Sequence, residues 1–320
     1  MKNLSLQVND KKVKKNGKID KIKRRFLREK QIWLISIPII LWVLVFAYYP
    51  MYGVFMAFVD YIPGKSILQC DWAGLKYFKQ FFESPDFFLI IRNTLVISGL
   101  NLLIVFPAPI FLSLLINELR MKYFKKTVQT ISYLPHFISW VVAASLIYSL
   151  LSSEGLITTM LMKAGIIDSE MSILGEGKYF WAIITSANLW KSVGWSSIIY
   201  LAAMAGIDKG LYEAGEVDGL GRFGKIWHIT LPGIRTTIIL LFILNIGSIL
   251  NAGFEQQLLL GSDQTREYWD VIDTYAYRYG IQLGRYSYAT AISFIKSTIG
   301  LALIFSVNRL SKKLFDLSVI

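Results

Sequence analysis

The sequence has little of what a soluble enzyme normally depends on. Only 18% of its 320 residues are charged, 54% are hydrophobic, and the mean hydropathy is +0.47. Such a composition is too apolar for a soluble domain of ordinary mix. Cys70 is the single cysteine, which excludes an intrachain disulfide. Any loops outside a membrane must therefore be held by packing alone.

What the sequence does contain is six long apolar runs. A bilayer core of about 30 Å is crossed by a helix of about 20 apolar residues. The runs are Ile32–Tyr52, Phe88–Ile116, Gln129–Leu151, Phe180–Gly206, Pro232–Asn251 and Tyr288–Arg309. Strands of a membrane β-barrel alternate in polarity at every second residue, whereas these runs are continuous. We therefore expect an all-α integral membrane protein with six transmembrane helices.

The basic residues are unevenly distributed along the chain. Of 34 Lys and Arg, twelve precede Ile32 and ten lie in the link 117–128, the link 207–231 and the end from Arg309, while the three other links carry eight. The positive-inside rule then places both termini and the link 207–231 in the cytoplasm. The charge of +12 thus predicts membrane orientation and contact with anionic lipid, and not binding to nucleic acid.

The link 207–231 carries a spaced motif. Its parts are Glu213-Ala214-Gly215, Gly219 and Ile229-Thr230-Leu231-Pro232. The spacing resembles the EAA loop of ABC-importer permeases, with Gly215 where that family usually has alanine. The resemblance implies a docking surface for a cytoplasmic ATPase, in which Glu213 pairs with a basic residue of the partner. The implied ATPase-coupling residues are Glu213, Ala214, Gly215, Asp218, Gly219, Ile229, Leu231 and Pro232.

The same link carries local signals for the start and end of short helices. Asp208 is suited to cap a helix that begins at Lys209, Gly219 provides a break, and a second short helix is expected at about Arg222–His228. The run from Gly219 to Lys225 also resembles a P-loop. However, Ile226 stands where magnesium binding needs Ser or Thr, and a membrane span precedes the run in place of a strand. We therefore expect no cofactor in this chain, with ATP and magnesium bound by partner ATPase subunits.

Polar residues within the apolar runs are candidates for a transport path. Lys191 lies in a mixed segment with Asn188, Trp190 and Trp195, while Asn245, Ser248 and Asn251 follow one another at three-residue spacing and share a helix face. Aromatic faces and amides suit a sugar, and a buried ammonium would favour an acidic one. The alternative is structural: Lys191 reaches an interface, the tryptophans form an interfacial belt, and the polar stripe joins helices by hydrogen bonds.

Further segments resemble the sugar-import branch of these permeases, specifically the oligosaccharide or polysaccharide group. They are Tyr49–Gly53 with Phe58–Tyr61, Tyr133–Trp140 and Gly194–Ala203. The resemblance implies the ABC type I importer (MetI-like) permease fold in a bacterial cytoplasmic membrane. It also implies four kinds of partner: a second homologous permease, two ABC ATPase subunits, an extracytoplasmic solute-binding protein and an oligosaccharide substrate.

These expectations divide the chain into a basic cytoplasmic tail (1–31), a first span with an external loop (32–87), a five-helix core (88–309) that contains the coupling loop (208–231), and a cytoplasmic C-terminal tail (310–320). The acid-rich external link 252–287 is either a docking surface for a binding protein or a solvated lip.

Two other function classes are less well supported. A passive channel or ion-coupled transporter would need rings of like charge or buried carboxylates, and nearly all acids here lie in links. An intramembrane serine protease would need a histidine base in another span, and neither His136 nor His228 is expected in a suitable place.

Overall fold

The computed structural model describes residues 29–167 and 172–315. Most of the predicted basic tail 1–31, and the end of the predicted C-terminal tail from residue 316, lie outside the described residues. The chain divides at Phe55 into two compact units. The described part of the first unit is mainly one apolar helix in which no residue is buried in protein, as suits a lipid-facing segment. The cavities and the coupling loop all belong to the second unit.

The regular secondary structure of the described residues is helical, and within them the only β pairing is an isolated bridge between Val59 and Trp72. The α-helices of residues 29–167 and 172–315 are α1 (Lys30–Val43), α2 (Lys76–Phe82), α3 (Phe87–Leu100), α4 (Ala108–Asn117), α5 (Lys122–Tyr133), α6 (Trp140–Leu151), α7 (Leu156–Lys163), α8 (Gly177–Ala205), α9 (Lys209–Val217), α10 (Arg222–Lys225), α11 (Leu231–Gly233), α12 (Arg235–Gly247), α13 (Glu255–Leu260), α14 (Arg266–Trp269), α15 (Ile272–Tyr277) and α16 (Tyr286–Phe315).

Four helical segments of the described chain are long and apolar enough to cross a membrane. They are Lys30–Phe58, Phe87–Asn117, Trp140–Lys163 and Tyr286–Lys313. A fifth arises if Arg222–Gly233 and Arg235–Gly247, which meet at a bend of 59°, form one span. Helix α8 has 29 residues, enough length for a sixth, but its polar residues lower its hydropathy. The helical fold is as predicted, whereas the count of six membrane spans and the cytoplasmic position of both termini stay predictions.

The structure departs from the predicted span Gln129–Leu151. Helix α5 ends at Tyr133, a 3₁₀ turn follows at Leu134–Phe137, and α6 begins only at Trp140. Pro135 has no N–H to continue the helical hydrogen bonds, and Ser139 restarts them because its side chain accepts from the Val142 N–H at 3.3 Å. The expected single span is therefore a broken one.

Helix α8 runs through the centre of the second unit. Its N-terminal part packs in a core of Phe180 and Ile184 against Ile97, and its C-terminal part packs through Tyr200 and Met204 against Leu114 and Ile234. Where α8 crosses α5, a Cβ atom at Gly194 would overlap the carbonyl oxygen of Ser132. Such close backbone approach between membrane helices requires a small residue. The crossing fixes α8 against the broken third span.

Candidate functional site

A polar cavity of about 960 Å³ lies beside the centre of α8. Its walls come from the end of α3 and the π-helical turn after it, the break between α5 and α6, the middle of α8, and the end of α12 with the chain that follows. About half of the lining residues are polar, with amide and hydroxyl groups prominent among them. A concavity that combines apolar walls with convergent polar groups is typical of a small-molecule site.

The structure brings five of the seven predicted path residues to this cavity. Asn188, Lys191, Asn245, Ser248 and Asn251 all line it. The residues of the polar stripe lie at the end of α12 and just beyond it, because the helix ends at Gly247 and not at Asn251 as expected. The two tryptophans of the predicted set do not line the cavity.

The tryptophans have other surroundings. Trp195 stacks in parallel on the ring of His136, with 4.5 Å between the ring centroids, and Phe137 meets the same indole edge-on at 5.5 Å. Trp190 is 42% exposed in the isolated chain, as a residue facing lipid or a partner would be. Trp195 therefore supports the wall behind the cavity, and Trp190 lies outside it.

Sequence reasoning missed two amides that complete a chain of hydrogen bonds along the cavity. Gln256 Nε2 donates to Asn188 Oδ1 at 3.2 Å, and Asn188 Nδ2 donates to Asn101 Oδ1 at 3.1 Å. The three side chains come from three separate segments, and all of them line the cavity. Asn101 was identifiable as an amide within an apolar run, whereas Gln256 lies in a polar link where an amide carries no signal.

Lys191 has its hydrogen-bonding capacity filled by the broken third span. Its Nζ donates to the carbonyl oxygens of His136 at 2.9 Å, Pro135 at 3.4 Å and, more closely, Ile138, and lies 5.5 Å from the centre of the Trp140 ring. The break frees the carbonyls of His136 and Ile138, whereas that of Pro135 also accepts from the Ile138 N–H at 3.3 Å. An ammonium with three donors is a suitable partner for such carbonyls. Because these carbonyls already satisfy its donors, Lys191 does not by itself favour an acidic sugar over a neutral one.

The coupling loop begins with the predicted helix. The side chain of Asp208 accepts from the Gly210 N–H at 2.9 Å, and α9 starts at Lys209 as expected. It ends in a Schellman motif, since the Leu220 N–H donates to the Gly215 carbonyl at 2.8 Å and the Gly219 N–H to the Glu216 carbonyl at 3.1 Å. Gly219 has φ +78°, a conformation that favours glycine. The motif's glycine is thus needed to turn the chain toward α10.

The two short helices of the loop are tied to each other. Glu216 accepts from Lys225 across the turn, and this hydrogen bond lowers the pKa of Glu216. Tyr212 and Thr230 are joined through their hydroxyl oxygens at 3.0 Å. Thr230 belongs to the second half of the motif, so this contact holds the two halves together. Predicted helix Arg222–His228 is present as α10 followed by a π-helical turn at Ile226–Thr230.

The motif residues fall into an exposed set and a supporting set. Gly215 is buried, and a Cβ there would lie 2.9 Å from Ile229 Cδ1, so both residues support the fold of the loop. Leu231 is half-buried and packs with the cluster around Tyr200. The exposed residues of the motif are Glu213, Ala214, Asp218, Gly219 and Pro232.

The exposed face of the loop has features of a docking surface. Glu213 has no ion-pair partner in the described part of the chain, although its neighbour Glu216 has one. Large apolar side chains are exposed beside it, including Val217 at 89%, Phe223 at 88% and Trp227 at 70%. An apolar patch with an unpaired charge marks a contact with another molecule more often than a solvated surface.

The acid-rich link 252–287 is more internally paired than the sequence indicated. Asp270 is buried and bonded to Arg278 and Thr274, and Asp273 pairs with Lys296 of α16. Glu267 lies 3.7 Å from Arg92. Three of these five acids therefore hold the link against the helices, which leaves Glu255 and Asp263 as exposed acids without a described side-chain partner. Of these two, Glu255 lines the cavity beside α8.

Comparison with known proteins identifies the family. Residues 101–316 match the family model described as binding-protein-dependent transport system inner membrane component. The chain belongs to this family. Two curated relatives from Bacillus subtilis (strain 168) each align over 90% of both sequences: the protein LplB at 45% identity, and the polygalacturonan/rhamnogalacturonan transport system permease protein YteP at 43%.

Solved structures give the same result. A chain of a bacterial ABC transporter involved in the import of the acidic polysaccharide alginate matches with a TM-score of 0.85 and 40% identity, over 92% of this chain and 99% of that one. The same transporter type in complex with an alginate-bound periplasmic protein matches with a TM-score of 0.84. The protein is a permease component of a binding-protein-dependent ABC importer of the carbohydrate group, embedded in a membrane, and it is a transport subunit and not an enzyme. The predicted MetI-like helical fold is confirmed.

Proposed function

We propose that this chain forms one half of the membrane channel of an ATP-driven oligosaccharide importer in a bacterial cytoplasmic membrane. A second, homologous permease supplies the other half, an extracytoplasmic binding protein delivers the sugar, and two ATPase subunits bind ATP and magnesium. The cargo is an acidic oligosaccharide. The observation that carries the proposal is the amide-lined cavity of about 960 Å³, together with a loop in the same unit whose exposed face has the features of a docking surface.

The cavity suits a sugar by its polar groups. Asn101, Asn188 and Gln256 form a connected row, and Asn245 and Asn251 add two further amides. An amide offers both donors and an acceptor, as a sugar hydroxyl does, so each can exchange its partner within the row for one on the cargo. The cavity lining also lacks a ring of like charges among the described residues, which disfavours an ion channel.

Support for an acidic cargo comes from the relatives, because Lys191 is already satisfied by carbonyl groups. YteP is named for polygalacturonan and rhamnogalacturonan transport, and the matched structure belongs to an importer of acidic alginate. At 43% and 40% identity over nine tenths of the chain, this permease carries the same class of solute.

Force reaches the cavity through packed residues. The loop joins α8 through Met204 and Tyr200, which pack with Ile234 and Leu231 at the start of the next span. Asn188 lies further along the same α8 and lines the cavity. Movement of α9 by a docked ATPase therefore displaces α8 and α12 together, as alternating access between the two sides requires.

The test is a charge reversal in the loop. The Glu213→Lys variant is expressed with the neighbouring permease and ATPase genes, and ATPase recovery and ATP-driven uptake of labelled oligosaccharide are measured in proteoliposomes. Loss of a desolvated charge pair costs about 2–5 kcal/mol, so we expect ATPase recovery and uptake to fall at least about tenfold.

Glu154→Lys is the matched control, because Glu154 is an exposed acid in a link predicted to face the other side. It should leave both readouts unchanged. Full uptake by the Glu213→Lys variant would contradict the coupling assignment, and uptake that needs no ATPase subunit at all would identify a passive or ion-coupled transporter instead.

A further inference from the structure

A second cavity, of about 490 Å³, lies between α2 and the chain that leads from α15 into α16. Its lining includes Lys76, Lys79 and Arg285 with Tyr275, Tyr279 and Tyr288. None of these residues lines the cavity beside α8. They come from the links 53–87 and 252–287 and the first turn of α16. The distribution of basic residues predicts that both links lie on the extracytoplasmic side of the membrane.

Arg285 is a cation without a carboxylate partner among the described residues. Its guanidinium lies 4.7 Å from the centre of the Tyr288 ring and 5.5 Å from that of Tyr279, and it is half-buried. Arg278 lies in similar contact with Tyr279 and Tyr275, at 5.5 Å and 5.2 Å, but its charge is neutralised by buried Asp270. Within residues 29–167 and 172–315, the guanidinium of Arg285 contacts aromatic rings only.

A guanidinium stacked on an aromatic face keeps its N–H donors at its edge, where a carboxylate can bind two of them in parallel. For Arg285 these donors have no acceptor among the described residues. Arg278 makes the same kind of aromatic contact and also binds the carboxylate of Asp270. Arg285 makes the aromatic contact, but no described carboxylate of the chain binds its guanidinium, so an anion from outside the chain can do so.

The other lining groups fit the rest of a sugar. Lys76 is committed to Asp60 at 2.8 Å, and Lys79 lies 3.6 Å from Glu83, so these two ammonium groups add positive potential with their own charges partly balanced. The hydroxyl of Tyr275 lies 3.0 Å from those of Tyr288 and Ser84, and burial raises the pKa of Tyr275, so that its hydroxyl stays neutral at physiological pH. Neutral hydroxyls and tyrosine rings are suitable neighbours for the hydroxyl groups and the apolar face of a sugar ring.

We propose that this cavity binds a uronate residue of an acidic oligosaccharide at the outer side of the chain, with Arg285 contacting the carboxylate and Tyr279 and Tyr288 contacting the ring. The site is separate from the cavity beside α8 and holds the cargo before it enters the membrane. The inference rests on the proposed function for the acidic cargo and for the orientation of the two links.

The test uses trigalacturonate and its fully methyl-esterified, uncharged form as probes. The full-length chain, with the subunits that co-purify, is placed in lipid nanodiscs without a binding protein and titrated by calorimetry. Wild type should bind trigalacturonate at least about tenfold more tightly than the ester, the usual effect of one desolvated charge-assisted contact. Arg285→Gln should remove that preference.

Three further variants distinguish binding in this cavity from binding elsewhere on the chain. Lys178→Gln removes an exposed outer cation that also lies over a tyrosine, at 4.9 Å from the ring centre of Tyr179, but outside the cavity, and should leave affinity unchanged. Asn245→Leu alters the cavity beside α8 and should keep the outer binding. Lys79→Gln, at a side chain 75% exposed and so harmless to folding, should weaken trigalacturonate binding about two- to threefold.

The proposal is overturned if wild type does not bind trigalacturonate, if the ester binds equally well, or if either Arg285→Gln or Lys79→Gln binds like wild type. These results do not depend on the ATPase. A failed Glu213 experiment with a positive titration would therefore reject the coupling assignment alone, and the reverse pattern would reject the outer site alone.

Discussion

At the scale of single residues, the structure changes the meaning of Lys191 most. The sequence showed an ammonium within a membrane span and left two interpretations open, a path residue or a structural one. The residue lines the cavity and also binds three carbonyl groups at the break around Pro135. Its position was predictable from the sequence, but its partners were not, because no pattern along the chain shows that another helix has unsatisfied carbonyls.

Replacing Lys191 should impair the whole site and not its charge selectivity. Lys191→Met leaves the half-buried carbonyls of His136 and Ile138 without this donor, and each unsatisfied group costs up to about 1–3 kcal/mol. We expect a lower melting temperature in nanodiscs and an equal fractional loss of uptake for neutral and uronate-bearing oligosaccharides. Lys163→Met removes an exposed lysine without described side-chain contacts and should have no effect on either measurement. Loss of uptake for the acidic sugar alone would show that Lys191 recognises charge directly.

At the scale of elements, the coupling loop was predicted well because its signals are local. The Asp208 cap, the turn at Gly219 and the second short helix depend on residues a few positions apart. The third span was predicted less well: Pro135 indicated a break, yet the length of the break depends on Ser139 and on Lys191, which lies 52 or more residues further along the chain. Gln256 was missed because its role exists only through contact with α8.

The ion pair between Glu216 and Lys225 makes the contact between α9 and α10 depend on pH. The hydrogen bond from Lys225 lowers the pKa of Glu216 below its ordinary 4.5. The ion pair therefore stabilises the contact between α9 and α10 fully above pH 4.5, and this stabilisation is lost as the pH falls through the lower pKa of Glu216 in the folded state.

Spin labels at the exposed positions Val217 and Phe223 report this directly. We expect a narrow distance distribution at pH 7 and pH 5 that broadens only below about pH 4.5, the ordinary Glu value. In a Glu216→Gln background the distribution should be broad at every pH. A narrow distribution in that variant would show that the ion pair does not hold the two helices together.

At the scale of the whole molecule, α8 connects the coupling loop to the cavity, and its crossing with α5 sets the position of the cavity wall. The crossing depends on Gly194, at which a Cβ would overlap the Ser132 carbonyl oxygen. The apolar runs predict the helical membrane fold. Which helices touch, and at which residue, could not be read from the sequence, because a glycine at a crossing looks the same there as a glycine facing lipid.

Two glycine-to-alanine variants test this crossing. Gly194→Ala forces the two backbones apart, and overpacking of this kind costs about 1–3 kcal/mol, so thermal stability and uptake should both fall. Gly99→Ala is the matched control, because it also lies within a helix and a Cβ there would meet nothing within 4 Å. Equal stability of the two variants would contradict the close approach of α5 and α8.

The central claim is that a motor docked on residues 208–231 moves the helices around the cavity beside α8. The most direct measurement is a cryo-electron microscopy structure of the importer assembled from its neighbouring genes, with ATP analogue and a uronate-bearing oligosaccharide. The account predicts α9 seated in a groove of the ATPase and sugar density against Asn188, Asn245 and Asn251. A loop that faces the opposite side of the membrane, or that touches no ATPase subunit, would contradict it.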